Sequence, residues 1–167
     1  LANKTRTDAD WTQTDAEIKL DYKNFTDPEQ QKKIYDVEAA VDYLRKERGA
    51  VSEKISLIGA SIGANLSLQY LGEHPDFKKA VLLSPGLNYR GVKTEPLIKN
   101  LKTGQQVFFA SSYDDGSNAG EVQKLYELVP SGARKEIKIY DTAGHGTTMM
   151  ERESALKNLI INFITSQ

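Results

Sequence analysis

The chain has 167 residues, a formal net charge of −1, 39% hydrophobic and 27% charged residues, and no cysteine. This suits one globular domain spanning residues 1–167 and excludes a disordered or fibrous chain, disulfides, thiolate chemistry and cysteine metal sites. No basic stripe suggests nucleic acid, no apolar run approaches the roughly 20 residues of a membrane span, and no leader pattern opens the chain, so the reading is of a soluble protein whose localisation is open, the cytoplasm being favoured over export.

Residues 1–26 are polar, with Trp11, Ile18, Leu20, Tyr22 and Phe25 scattered among Asp, Thr and Lys. They read as a surface excursion with one short strand near 17–21. Asp27-Pro28-Glu29-Gln30 predicts a helix start, with Asp27 as N-cap, proline at the first helical position and Gln30 closing a capping box. Ile34, Val37, Val41 and Leu44 recur at helical spacing until Gly49 ends the run. The basic run Arg45-Lys46-Glu47-Arg48 falls near that end and is interrupted by an acid, as on a solvated face. A strand-helix alternation follows. Short apolar runs at 54–59, 80–84, 106–110 and 136–140 suit buried strands, and helical patterns lie at 62–71, 119–129 and 150–164, the last with Leu156, Leu159, Ile160 and Phe163 on one face. The expected fold is α/β, a mainly parallel sheet with helices on both faces.

Gly59-Ala60-Ser61-Ile62-Gly63 matches G-x-S-x-G between the first strong strand and its helix. At such a corner a serine can project from a strained turn, and the helix N-terminus offers the Ile62 N–H as an oxyanion donor. A serine hydroxyl is a weak nucleophile without a base. Of the two histidines, His74 reads as a helix-terminal surface residue, while His145 follows the last strand at the carboxyl end of the sheet, where catalytic groups of open α/β sheets gather. An acid that orients the imidazole is expected after an intervening strand, and Asp114 is chosen, with Asp115 as the alternative. The chain order is then Ser, Asp, His. Leu87, Tyr89 and Leu97 are candidates for lining a modest acyl pocket, the alternative being that they only pack the connection between the second and third strands. No histidine or cysteine spacing suits a metal, 114–118 lacks the spacing of a calcium loop, and no phosphate loop occurs, so no cofactor is expected.

Ile58-Gly59-Ala60-Ser61-Ile62-Gly63-Ala64-Asn65, Leu83-Ser84-Pro85-Gly86 and Ala143-Gly144-His145-Gly146-Thr147 stand in an order and spacing that carry a resemblance. Residues 54–167 resemble the C-terminal half of an α/β-hydrolase, closest to small dienelactone-hydrolase-like serine esterases. The resemblance implies Ser61 as nucleophile, Asp114 as acid, His145 as base, and hydrolysis of a small-molecule carboxylic ester or similar acyl compound through an acyl-enzyme. The chain departs from the pattern at its front. Similar proteins carry several strands before the helix expected at Asp27, and an upstream loop gives their second oxyanion N–H. Thr5-Arg6-Thr7-Asp8 stands where related chains show Arg-Gly-His-Gly. An α/β-hydrolase-like sheet lacking its N-terminal strands would leave the strand before Ser61 on an open edge, so either a homo-oligomer or a missing N-terminal segment is expected. The alternative function is a truncated, catalytically incompetent hydrolase-like domain with a binding or assembly role.

Overall fold

The computed structural model describes residues 24–166. The strand expected at 17–21 and the segment 5–8 lie outside them. Helix α1 (Asp27–Gln31) begins one residue earlier than the sequence suggested. Thr26 takes the cap position, and its N–H donates to the Glu29 carboxylate at 2.8 Å, so Glu29 closes the box and Gln30 turns inward, buried. Helix α2 (Ile34–Arg48) follows separately. The backbone stays right-handed at Lys32 and Lys33 but tightens to i→i+3 bonds, which divides the single helix expected from Asp27 to Gly49.

After a single 3₁₀ turn (Ser52–Lys54), the remaining elements are β1 (Ser56–Ala60), α3 (Ile62–Glu73), β2 (Lys79–Leu83), β3 (Asn88–Tyr89), β4 (Val92–Lys93), α4 (Thr94–Lys99), β5 (Gln106–Ser112), α5 (Asn118–Leu128), β6 (Arg134–Tyr140), α6 (Thr148–Arg152) and α7 (Ser154–Thr165). Four strands pair in parallel in the order β1-β2-β5-β6, and β3 and β4 form a small antiparallel hairpin. Strands β2 and β5 are apolar on both faces because helices cover both. Ala80, Leu82, Val107 and Phe109 point into a cluster with Leu68 and Leu71 of α3 and Val122 and Leu125 of α5. Val81, Leu83, Phe108 and Ala110 point the other way, against Leu156, Ile160 and Phe163 of α7. Each fully buried Leu, Val or Phe side chain contributes about 1.5–3 kcal/mol, so these two layers dominate the core.

The C-terminal helix differs from expectation. Glu153 leaves the helical region (φ −114°, ψ 89°) and divides α6 from α7, and Leu159, expected on the buried face, is 38% exposed. Among the described residues β1 pairs on one side only. Ile58, in register with Val81, faces the α7 side of the sheet but is 50% exposed.

Candidate active site

The corner between β1 and α3 is built around Gly59. A Cβ there would overlap the Gly63 carbonyl, so only glycine lets the first turn of α3 fold back against the strand. Gly63 itself has open space around its α-carbon and matters here through that carbonyl. One residue on, Ser61 adopts φ 54° and ψ −125°, a conformation costly for a residue with a side chain and held because both neighbours are fixed. Its N–H donates to Leu83 O at 2.9 Å, and its carbonyl accepts from Ala64 and Asn65 in the first turn of α3. The Ser61 hydroxyl makes no capping bond. Ile62 is the first residue of α3, where N–H groups have no intrahelical acceptor.

His145 sits on loop 141–147, between β6 and α6, at the same end of the sheet. The loop meets the serine corner over the end of β2: Gly146 N–H donates to Ser84 Oγ at 2.9 Å, next to the Leu83 that accepts from Ser61, and a Cβ on Gly146 would touch that of Ala60 at 3.5 Å. Asp115 Oδ2 lies 2.7 Å from His145 Nδ1, with the imidazole 43% exposed and the carboxylate 16%.

Asp114, chosen from the sequence to hold the imidazole, points elsewhere. Its Oδ1 accepts from Ser112 Oγ at 2.5 Å and from Gly144 N–H at 2.8 Å, and its Oδ2 lies 3.4 Å from an Arg152 nitrogen. The Ser112 bond, then the Gly144 bond, with the Arg152 charge assisting, hold this carboxyl below the usual range. The physical reason for the difference lies in the turn after β5. It sends adjacent carboxylates in different directions, one to the backbone of loop 141–147 and the other to its side chain.

Tyr89, on β3, presents its ring to His145 edge to face, with centroids 6.3 Å apart. The ring lies so close to Gly86 that any side chain there would collide with it, and its hydroxyl accepts from the buried Asn118 at 3.2 Å. Burial, then the negative charges of Asp115 and Glu121, push the phenol up. Leu87, another candidate for a pocket, packs against the core cluster, and its N–H donates to Glu121. His74 ends α3 away from this cluster, stacked on Tyr70 with centroids 4.0 Å apart. Ser112 was not singled out in the sequence, and Ser84 and Asn65 stood only within the phrases that carry the resemblance, with no role given to either. Asn65, fully buried, bonds Gly86 through both backbone N–H and carbonyl and so fixes the loop that carries Tyr89. The signal that pointed to a structural role for all three is that each is a polar residue inside or beside an apolar strand or helix. No group of three His, Cys, Asp or Glu suited to a metal occurs among the described residues.

A parallel sheet, a strained serine between its first strand and a helix, and a histidine on the loop after β6 define an α/β-hydrolase-like fold. An esterase of Pyrococcus furiosus superposes with a TM-score of 0.66 at 18% identity, over 80% of this chain and 60% of that one. Acetyl xylan esterase 1 from Thermoanaerobacterium sp. JW/SL YS485 gives 0.62 at 16%, over 78% and 51%. The acylaminoacyl peptidase of Pyrococcus horikoshii gives 0.61 at 17%, over 77% and 27%. The chain thus spans 27% to 60% of the length of these structures. No curated protein matches it in sequence. Residues 6–159 match the dienelactone hydrolase family, and the chain belongs to that family.

Proposed function

We propose that this chain carries the catalytic residues of a serine hydrolase acting on small carboxylic esters, with Ser61 as nucleophile, His145 as base and Asp115 as acid. The observation that carries the reading is the strained Ser61 at a strand-to-helix corner, beside a loop whose histidine is paired through Nδ1 with a carboxylate. With Nδ1 facing Asp115, Nε2 is left to take the Ser61 proton as Oγ attacks the acyl carbon. The tetrahedral oxyanion forms near the first turn of α3, where the Ile62 N–H stabilises it. Protonated His145 gives its proton to the leaving alcohol. A water, deprotonated by the same histidine, then releases the acid from Ser61. Asp115 holds the imidazole in the Nδ1–H tautomer and balances its charge. Tyr89 forms a wall of the acyl site beside the histidine, while Leu87 supports that wall from within.

Hydrolysis of short p-nitrophenyl esters tests this. Ser61→Ala and His145→Ala are expected to lose on the order of a millionfold in kcat, whereas His74→Ala keeps the wild-type rate. Activity also falls on acidification, because a protonated imidazole cannot accept the serine proton. Full activity in Ser61→Ala would move the chemistry elsewhere. An inert wild-type chain would favour a hydrolase-like domain with a binding role.

A further inference from the structure

A histidine on a loop serves as a base only if the loop holds its ring within a fraction of an ångström of two partners at once. The imidazole of His145 is 43% exposed, so Asp115 and Tyr89 restrain the ring from part of its surface only. The backbone on either side of it adds to that restraint. Ala143 N–H donates to Ser112 Oγ at 2.8 Å, Gly144 N–H to Asp114 Oδ1, and Gly146 N–H to Ser84 Oγ. Two of these acceptors come from the end of β5 and its turn, and the third from the end of β2. Ser84 is fully buried at φ 48°, its own N–H donates to Ala110 O, and it follows the residue that holds Ser61. Asp114 is fixed in turn by the Ser112 hydroxyl and by Arg152 of α6.

We infer that Asp114 and Ser84 are positioning residues for His145, clamping the amide before it and the amide after it, so that the paired aspartates divide the work: Asp115 on the ring, Asp114 on the loop. The assignment rests on the function proposed above. It requires a hydrogen-bond acceptor at 114, and the carboxylate charge there is secondary. An asparagine oxygen can still receive the Gly144 N–H, so Asp114→Asn separates this role from that of Asp115.

The test combines ester kinetics with amide hydrogen exchange on the 167-residue chain and its variants, with thermal unfolding checking that each is folded. Asp114→Ala and Ser84→Ala are each expected to lower kcat about tenfold to a hundredfold with KM little changed, the scale of a misplaced catalytic group. Asp114→Asn recovers most of that loss. Asp115→Asn, which removes the charge facing the ring and lets its amide favour the wrong imidazole tautomer, falls by about ten-thousandfold. Exchange quickens at Gly144 in Asp114→Ala and at Gly146 in Ser84→Ala, and at neither in Ser61→Ala. Wild-type kcat in Asp114→Ala, with unchanged exchange at Gly144, would overturn the clamp. Asp114→Asn as damaging as Asp115→Asn would make Asp114 an acid of the reaction and overturn it too. A wild-type chain without esterase activity would sink the proposed function alone, since the exchange measurements still decide whether the loop is clamped.

Discussion

Gly59 carries the tightest steric demand of the site, because its α-hydrogen faces the Gly63 carbonyl where a methyl group has no room. Gly59→Ala is expected to cost about 1–3 kcal/mol, the usual range for overpacking, read as a lower urea midpoint at unchanged slope. An unaltered midpoint would mean that the corner relaxes freely and stores no strain. Asp114 makes a prediction in pH. Its carboxyl is held below the ordinary range in the folded chain by Ser112 and Gly144, so the folded state favours the charged form. The stability it contributes is complete above the unfolded carboxylate value and is lost as pH falls through the lowered folded one. Acid unfolding of Asp114→Ala should therefore be flatter over that window, and an acid limb identical to wild type would contradict the assignment. The settings of Ser61 and His145 were legible in the sequence, since each stands at the end of a recognisable apolar run. The choice between Asp114 and Asp115 was not. It depends on where Gly144 and His145 come to lie, about 30 positions away, and neighbouring carboxylates in a turn look alike until that loop is placed.

Elements were legible in proportion to their length. The four sheet strands were read from short apolar runs, with bounds displaced by one or two residues for β1, β2, β5 and β6. The β3–β4 hairpin and α4 were missed, because two-residue strands have no period to detect and a six-residue helix offers barely a turn and a half. The division between α6 and α7 was hidden for a different reason: Met149 and Leu156 are both buried, so the apolar pattern continues across Glu153. The end of α7 depends on a residue of another element. Lys79, at the start of β2, donates from Nζ to Phe163 O at 3.0 Å and Ile164 O at 3.2 Å, and also to Ser166 O, thereby satisfying carbonyls that a helix C-terminus leaves open. Lys79→Met is expected to cost about 1.5–3 kcal/mol, the range for bonds to a charged donor, with faster amide exchange in the last turn of α7. Equal stability and exchange would mean that water replaces the lysine without loss.

At the scale of the whole molecule, the strand-helix alternation predicted a parallel sheet covered on both faces, and the fold has that form. What alternation could not give is which flank of the sheet is covered. Strand β1 carries the serine corner yet pairs on one side only among the described residues, with Ile58 half exposed and a groove of about 360 Å³ between α2 and β1 lined by Val37, Leu44, Leu57 and Ile58. An apolar edge with open backbone groups is a template for strand pairing. The isolated 167-residue chain is therefore expected to associate as concentration rises in light scattering, and Ile58→Lys to weaken that association. A concentration-independent monomer would show that this edge is not a pairing site. The central claim, that the corner holds an activated nucleophile, is tested most directly by intact-mass spectrometry after exposure to a fluorophosphonate. The account predicts one covalent adduct, mapped to Ser61, on the wild-type chain, with none on Ser61→Ala and far slower labelling of His145→Ala. A wild-type chain that stays unlabelled, or an adduct mapped to any other residue, would contradict it.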